Sequence, residues 1–221
     1  MPSLYLRADV GVCGFADCAI VLDVPADRYW YIPAPLHETL VALANGSGDV
    51  DPVHLAELSG PLSLFTLDPG AAAQPRDRVL PDPAASALEG STEGPDRRLT
   101  VAASVWTSTI TSRAALVRRP LARTVAGVRR SLAGAKAMDL RDPERIARDF
   151  AYHRRFVPLA RRCLPDTLAF LRYAHARGCP ARLVFGVQAY PFAAHCWAQL
   201  GDLVLDDLLD HARAFRPILV V

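Results

Sequence analysis

Lysine is almost absent from this chain of 221 residues, in which Lys136 is the only one. Arginine therefore carries nearly all of the positive charge, and the formal net charge is only +2. A balance so close to neutral gives no overall field that would attract nucleic acid or a membrane surface. Genomic composition explains the arginine bias better than RNA binding does, because alanine is abundant as well.

The chain also lacks a long apolar run. The uncharged stretch Leu99 to Ser112 is shorter than the roughly 20 residues that span a bilayer, and it contains several Ser and Thr side chains. Residues 1–11 contain no apolar core of the signal-peptide type. We therefore expect a soluble, cytoplasmic protein. Its length and its 51% of hydrophobic residues suffice to bury a core in one large domain or two small ones.

Cysteine occurs in an odd number and without a disulfide-type spacing: Cys13, Cys18, Cys163, Cys179 and Cys196. Thiols of a cytoplasmic protein stay reduced, so we expect all of them except Cys163 to be inert and buried. A zinc site is a weak interpretation because no second clean pair accompanies the Cys-x4-Cys spacing. We predict no bound metal.

A phosphate-binding loop is missing too. Gly134-Ala135-Lys136-Ala137 lacks both the first glycine at the required spacing and the Ser or Thr that follows the lysine. We therefore expect no cofactor to bind this chain directly. The histidines other than His195, including His211, have no partner pattern and are expected at the surface or at caps.

Residues 1–68 have the pattern of a small β/α unit. Ala19 to Asp23 and Tyr29 to Ile32 are β-branched or aromatic runs on either side of a turn, which predicts a hairpin. Pro35 to Leu43 has helical spacing with proline in the first turn, and Asp51 to Leu58 predicts a second short helix.

Residues 69–98 are rich in Pro, Gly, Ala, Ser and Asp and are predicted to be a linker. Residues 99–221 then form a second unit, which is mostly helical at first and broken at Pro120. Asp142-Pro143-Glu144 predicts the start of another helix, which runs toward Val157, because Asp caps and Pro suits the first position.

The end of the chain combines a helix with strands. A helix is predicted from Cys163 to a glycine stop at Gly178. Three antiparallel strands are predicted, at Arg182 to Val187, His195 to Leu200 and Leu203 to Leu205, with a Gly201-Asp202 turn between the last two. The fold class is therefore α+β, with a helix packed on an antiparallel sheet.

Three residues on these elements have the chemistry of a nucleophile and its supporting groups. Cys163 stands at a helix N-terminus, where unpaired N–H groups favour the thiolate. His195 opens a strand and Asp207 follows the next one, so the carboxylate can orient the imidazole. On the residues alone, Asp207 is equally well explained as a turn residue.

Several motifs here resemble those of the B proteins of lasso-peptide biosynthesis, which are leader peptidases. The family pattern has C-L-x-x-S/T-L, a helix, A-x-L-V-I-G-V, P-F-x-x-H-x-W-V-E and a strand that ends in N-D. The matching segments are Cys163-Leu164-Pro165, Ala181 to Val187, Pro191 to Trp197 and Gly201 to Asp207. The chain departs from the pattern at Cys196, Ala198-Gln199 and Asp206, and none of these departures removes a catalytic group. The pair Asp206-Asp207 leaves open which carboxylate bonds the histidine.

The resemblance implies that residues 99–221 form a transglutaminase-like (papain-like) cysteine protease domain, with Cys163, His195 and Asp207 as its catalytic residues. It also implies that residues 1–68 form a winged-helix-like domain that recognises a leader peptide by strand addition. Tyr29, Trp30 and Tyr31 are the candidate substrate-binding residues, although the same aromatics also suit a hairpin core.

The partners that the resemblance implies are the leader region of a precursor peptide and an asparagine-synthetase-like cyclase that uses ATP. Two other functions remain compatible with the sequence. One is acyl transfer to an amine by the same three residues, and the other is a non-catalytic chaperone that presents the precursor to the cyclase.

Overall fold

The computed structural model describes residues 5–44, 64–66, 80–90, 94–134 and 142–221, and these residues form an α+β fold as predicted. The first strands are β1 (Tyr5–Leu6), β2 (Val10–Gly14), β3 (Cys18–Asp23) and β4 (Arg28–Pro33). The last three form an antiparallel sheet in the order β2-β3-β4. The predicted hairpin is thereby confirmed.

One helix and a short strand complete this part of the chain. Helix α1 spans Leu36–Ala44, close to the predicted bounds, and strand β5 (Phe65–Thr66) pairs with β1. The predicted helix Asp51 to Leu58 lies outside the described residues. A winged-helix-like arrangement with three helices therefore stays a prediction.

Four longer helices follow: α2 (Leu99–Arg118), α3 (Leu121–Gly134), α4 (Pro143–Arg154) and α5 (Cys163–His175). The break between α2 and α3 falls at Pro120, which has no N–H to continue a helix. Helix α4 is capped as predicted, since the Asp142 carboxylate accepts from Glu144 N at 3.0 Å. The chain leaves α5 through Gly178, whose φ of 78° is the left-handed conformation that favours glycine.

The remaining elements are five strands that form one sheet and one short helix. The strands are β6 (Ala85–Ser86), β7 (Arg182–Gln188), β8 (Ala193–Leu200), β9 (Leu203–Val204) and β10 (Arg216–Val220). The helix, α6 (Leu209–Arg213), lies between β9 and β10 in the chain. The sheet order is β10-β7-β8-β9-β6. The three predicted strands β7, β8 and β9 are confirmed as antiparallel neighbours. Strand β10 was not predicted.

Part of the predicted linker 69–98 belongs to this sheet, so the prediction was wrong for that part. Strand β6 pairs in parallel with β9, and Ala87 N donates to Val204 O at 2.8 Å. Ser86 Oγ also donates to the Asp207 carbonyl at 2.6 Å, so this part of the segment is held against the sheet. Residues 69–79 and 91–93 lie outside the described residues.

The N-terminal sheet is joined to the larger sheet by a common core. Strand β3 is buried on both faces. Its residues Ile20 and Leu22 belong to the apolar cluster that also contains α5 and β7, whereas Ala19 and Val21 pack with α1. Strand β2 approaches β10 so closely that a Cβ on Gly11 would lie 2.3 Å from the Ile218 carbonyl oxygen. Among the helices that the structure describes, none has the combined length and apolar character that crossing a membrane requires.

Candidate active site

The N-terminus of α5 is fixed by a buried arginine. Arg154, at the end of α4, donates to the carboxylate of Asp166 at 2.9 Å. The same guanidinium donates to the carbonyl oxygens of Val157 at 3.3 Å and Leu159 at 3.0 Å. These bonds hold the chain between α4 and α5, and they therefore set where the first turn of α5 lies.

Cys163, the first residue of that turn, is exposed and is surrounded by groups that stabilise a thiolate. The Cys196 thiol, the His195 ring and the backbone N–H of Leu164 lie close enough to its sulfur to lower its pKa. The Cys196 thiol, followed by the His195 ring, lowers the pKa of Cys163 to about 4, although burial opposes this. The predicted helix terminus is therefore present, but the neighbouring thiol contributes more than the helix does.

His195 lies on β8 and connects the thiol to a carboxylate. Its Nε2 forms a hydrogen bond of 2.5 Å with Asp207 Oδ2, which leaves Nδ1 for Cys163. Burial disfavours the charged ring, but the bonds to Asp207 and Cys163 outweigh it and raise the pKa of His195 to about 9. The ring is stacked beside Trp197, with 6.1 Å between the ring centroids.

The two adjacent carboxylates have different partners. Asp207 bonds His195 and also accepts from Leu208 N at 2.8 Å, and these bonds lower its pKa against the effect of burial. Asp206 instead accepts from Ala198 N at 2.7 Å, and desolvation of its carboxylate raises its pKa to about 7. The carboxylate that orients His195 in this structure is thus Asp207, which the sequence could not distinguish from its neighbour.

Together these residues have the arrangement that a nucleophile, a base and a group that orients the base would require. Between about pH 4 and about pH 9 the sulfur is a thiolate and the imidazole is protonated. Such an ion pair attacks a carbonyl carbon without prior removal of a proton, and the imidazolium can then protonate a leaving group. The structure brings the three predicted catalytic residues together.

A second histidine bonds the same carboxylate, which the sequence analysis missed. His211, on α6, has its Nδ1 2.8 Å from Asp207 Oδ2, and its ring centroid is 4.4 Å from that of His195. His211 is exposed, as expected, but the sequence pattern did not indicate its carboxylate partner. The available signal was the spacing of four residues from Asp207, which places two side chains on one face of a helical turn.

His195, Asp207 and His211 are also residues of metal-ligand type, and their ligand atoms lie within 4.8 Å of one another. Hydrogen bonds of 2.5 Å and 2.8 Å join Asp207 to the two rings. Two ligand atoms around a tetrahedral zinc ion are roughly 3.3 Å apart. The bonded atoms of this cluster are closer together than that, which leaves no room for an ion between them. The arrangement fits a hydrogen-bonded network better than a metal centre.

The three candidate substrate-binding residues on β4 divide between two faces. Tyr29 packs edge-on against Phe192 at 5.6 Å, and its pKa is raised by burial and by the thiols Cys196 and Cys163. Tyr31 is 55% exposed and shares a hydrogen bond of 2.9 Å with the hydroxyl of Tyr190. Trp30 packs on the opposite face, with the residues around α1. Two of the three therefore lie on the side of the active site.

A family comparison matches this part of the chain. The model of the transglutaminase-like superfamily covers residues 106–220, which is just over half of the chain and includes Cys163, His195 and Asp207. The chain belongs to the transglutaminase-like superfamily, which indicates cysteine protease or acyltransferase chemistry. A search of the curated proteins and a search of the solved structures found no match.

Proposed function

We propose that this protein is a cysteine endopeptidase that removes the leader from a ribosomally made lasso-peptide precursor. The observation that carries the proposal is the contact of Cys163 with His195, whose ring is bonded to Asp207 at 2.5 Å. The superfamily supports a thiol-based reaction at a carbonyl group. The leader and the lasso precursor are supported by the motifs around Cys163, Val184 and His195.

In the proposed reaction the Cys163 sulfur attacks the carbonyl carbon of the leader–core peptide bond. His195 then gives its proton to the leaving amine, which frees the core peptide and leaves the leader as a thioester. Water hydrolyses the thioester with His195 as the base, and the thiolate returns. Asp207 keeps the imidazole in place throughout. The backbone N–H of Cys163, at the start of α5, is a suitable donor to the oxyanion.

The proposed route for the leader follows strand β4. This strand is an edge of the N-terminal sheet among the described residues, so an extended peptide can add to it through backbone hydrogen bonds. Tyr29 and Tyr31 contact Phe192 and Tyr190. Tyr29 also lies close enough to Cys196 and Cys163 for both to raise its pKa. A leader bound there would run toward Cys163. In this proposal an asparagine-synthetase-like cyclase closes the ring and is the partner that uses ATP.

Hydrolysis and acyl transfer are distinguished by carrying out the reaction in ¹⁸O-labelled water. The substrate is a synthetic lasso-peptide precursor that contains leader and core, and the reaction is run with and without a lasso cyclase. Hydrolysis places one ¹⁸O atom in the new carboxylate of the leader, whereas acyl transfer to an amine gives a new amide without label. Mass spectrometry of the leader product reads out this difference, and an unlabelled amide product would reject the peptidase proposal in favour of acyl transfer.

A further inference from the structure

The active site contains a second thiol that the proposed reaction does not use as a nucleophile. Cys196 follows His195 on β8 and is only 3% exposed. Its thiol lies next to the Cys163 sulfur, and each of the two groups shifts the pKa of the other. The Thr167 hydroxyl, one turn after Cys163, donates to the Cys196 carbonyl at 3.3 Å and so ties the start of α5 to β8 at this point.

The two sulfurs differ in their access to solvent. Cys163 is exposed, whereas Cys196 is buried. A small oxidant therefore reaches Cys163 first, and the product of that reaction is already in contact with a second thiol. The other three cysteines are buried and so are shielded from such an oxidant: Cys13, Cys18 and Cys179.

We propose that Cys163 and Cys196 are a peroxide-reactive pair that forms a reversible disulfide and thereby protects the nucleophile from irreversible oxidation. The ligand class is a hydroperoxide, with hydrogen peroxide as the simplest member. The inference depends on the contact of the two thiols and not on the identity of the peptide substrate.

The chemistry has two balanced steps. The Cys163 thiolate attacks one peroxide oxygen, the O–O bond breaks, and the products are a sulfenic acid and a hydroxide that takes up a proton to become water. The Cys196 sulfur then loses its proton and attacks the Cys163 sulfur. The S–S bond forms, the S–O bond breaks, and the departing hydroxide takes the proton as water. Two thiols are oxidised, and one peroxide is reduced to two waters.

The first step itself prepares the second one. In the reduced protein the interaction with the Cys163 thiolate is the largest effect that raises the pKa of Cys196, ahead of burial. Conversion of Cys163 to a neutral sulfenic acid removes that negative charge. Cys196 then gives up its proton more readily, at the moment when its sulfur is needed.

The test compares the full-length protein with Cys196→Ser, which keeps a hydrogen-bond donor but cannot form a disulfide. Equimolar hydrogen peroxide should lower the mass of the wild-type protein by about 2 Da, and dithiothreitol should reverse the change. Non-reducing peptide mapping should join the peptides of Cys163 and Cys196. In Cys196→Ser an excess of about three or more molar equivalents of hydrogen peroxide should add about 32 or 48 Da at Cys163, which dithiothreitol does not remove, whereas the wild-type protein under the same excess should still lose only about 2 Da. Cys179→Ala is the matched control and should behave as the wild type does.

Sulfinic or sulfonic Cys163 in the wild-type protein, formed as fast as in Cys196→Ser, would overturn the inference. A disulfide that joins Cys163 to a different cysteine would overturn it as well. Wild-type mapping alone decides the point if the Cys196→Ser protein fails to fold. Because the readout is a mass and not peptide cleavage, failure here is distinct from failure of the proposed peptidase function.

Discussion

At Cys163 a thiol, an imidazole and a helix N-terminus all act on a single sulfur and lower its pKa. Each of them stabilises the thiolate, so the sulfur is reactive well below the pH at which an ordinary thiol ionises. We expect the rate of Cys163 alkylation by iodoacetamide to rise near pH 4 and to stay high at neutral pH. Mass spectrometry after timed quenching measures this rate.

The matched control for the alkylation experiment is His195→Ala. Loss of the imidazole removes one of the two largest effects that lower the pKa of Cys163, so the rise in rate should move to higher pH. A wild-type profile that rises only around pH 8 to 9, as for a free thiol, would contradict the thiolate–imidazolium pair.

Adjacent aspartates provide a test of orientation, because only one of them bonds the histidine. Asp207→Asn should lower the rate of peptide cleavage by about 100-fold or more, since the amide cannot stabilise the protonated ring in the same way. Asp206→Asn should keep most of the activity, because an amide oxygen can still accept the bond from Ala198 N. Steady-state kinetics of the two variants measures both effects. A larger loss of activity in Asp206→Asn than in Asp207→Asn would contradict the assignment of Asp207 as the partner of His195.

At the scale of elements, the contact between β7 and β8 depends on the absence of a side chain at Gly186. This residue is opposite His195 in the strand register. A Cβ there would lie 2.6 Å from the Trp197 ring and 2.9 Å from Phe215 Cβ. Because Trp197 and Phe215 both pack around the His195 ring, a shift of either one would disturb the active site.

We expect Gly186→Ala to lower the free energy of unfolding by about 1–3 kcal/mol, as overpacking does, and to reduce activity. Gly127→Ala is the matched control, since Gly127 lies within α3 and a Cβ there meets nothing within 4 Å. Alanine should stabilise that helix by roughly 0.5–1 kcal/mol. Urea unfolding measures both variants, and equal effects would contradict the importance of the close approach at Gly186.

Local signals explain which elements the sequence could predict. Asp142 at a cap, Pro120 at a break and Gly178 at a helix end are each read from neighbouring residues, and the structure has these boundaries. Strand β6 has no such signal. It is only two residues long, and its parallel partner β9 lies far away in the chain, so only the tertiary fold makes it a strand.

The candidate site shows the same limit. Motifs singled out Cys163, His195 and Asp207, but spacing alone could not choose between Asp206 and Asp207, because their roles depend on which side of the backbone each carboxylate takes. The contact of Cys163 with Cys196 was also invisible, since it joins a helix to a strand that is distant in sequence.

At the scale of the whole molecule, the two units that the sequence suggested share one core. Leu22 of β3 is 1% exposed and lies in the same apolar cluster as Phe170 and Leu183. Asp9, before β2, also forms an ion pair with Arg129 of α3. Separation of the units would expose the apolar face of β3, and that exposure couples their unfolding.

We therefore expect one cooperative transition when the full chain unfolds. Leu22→Ala should lower the free energy of unfolding by about 2–5 kcal/mol, because it leaves a cavity in the common core. The midpoint temperature of the whole transition should fall accordingly. Calorimetry together with circular dichroism checks this prediction. Two transitions, of which only one responds to Leu22→Ala, would indicate independent domains.

The central claim is that Cys163 is the nucleophile of a peptidase, and the most direct test is leader release from the precursor peptide, followed by mass spectrometry. The reaction is run in parallel with and without the cyclase. Wild-type protein should release the leader, and so should Cys179→Ala, which removes a buried thiol away from the site. Cys163→Ala should bind the precursor and release nothing. Equal release by Cys163→Ala would contradict the catalytic assignment and would favour a precursor-binding chaperone.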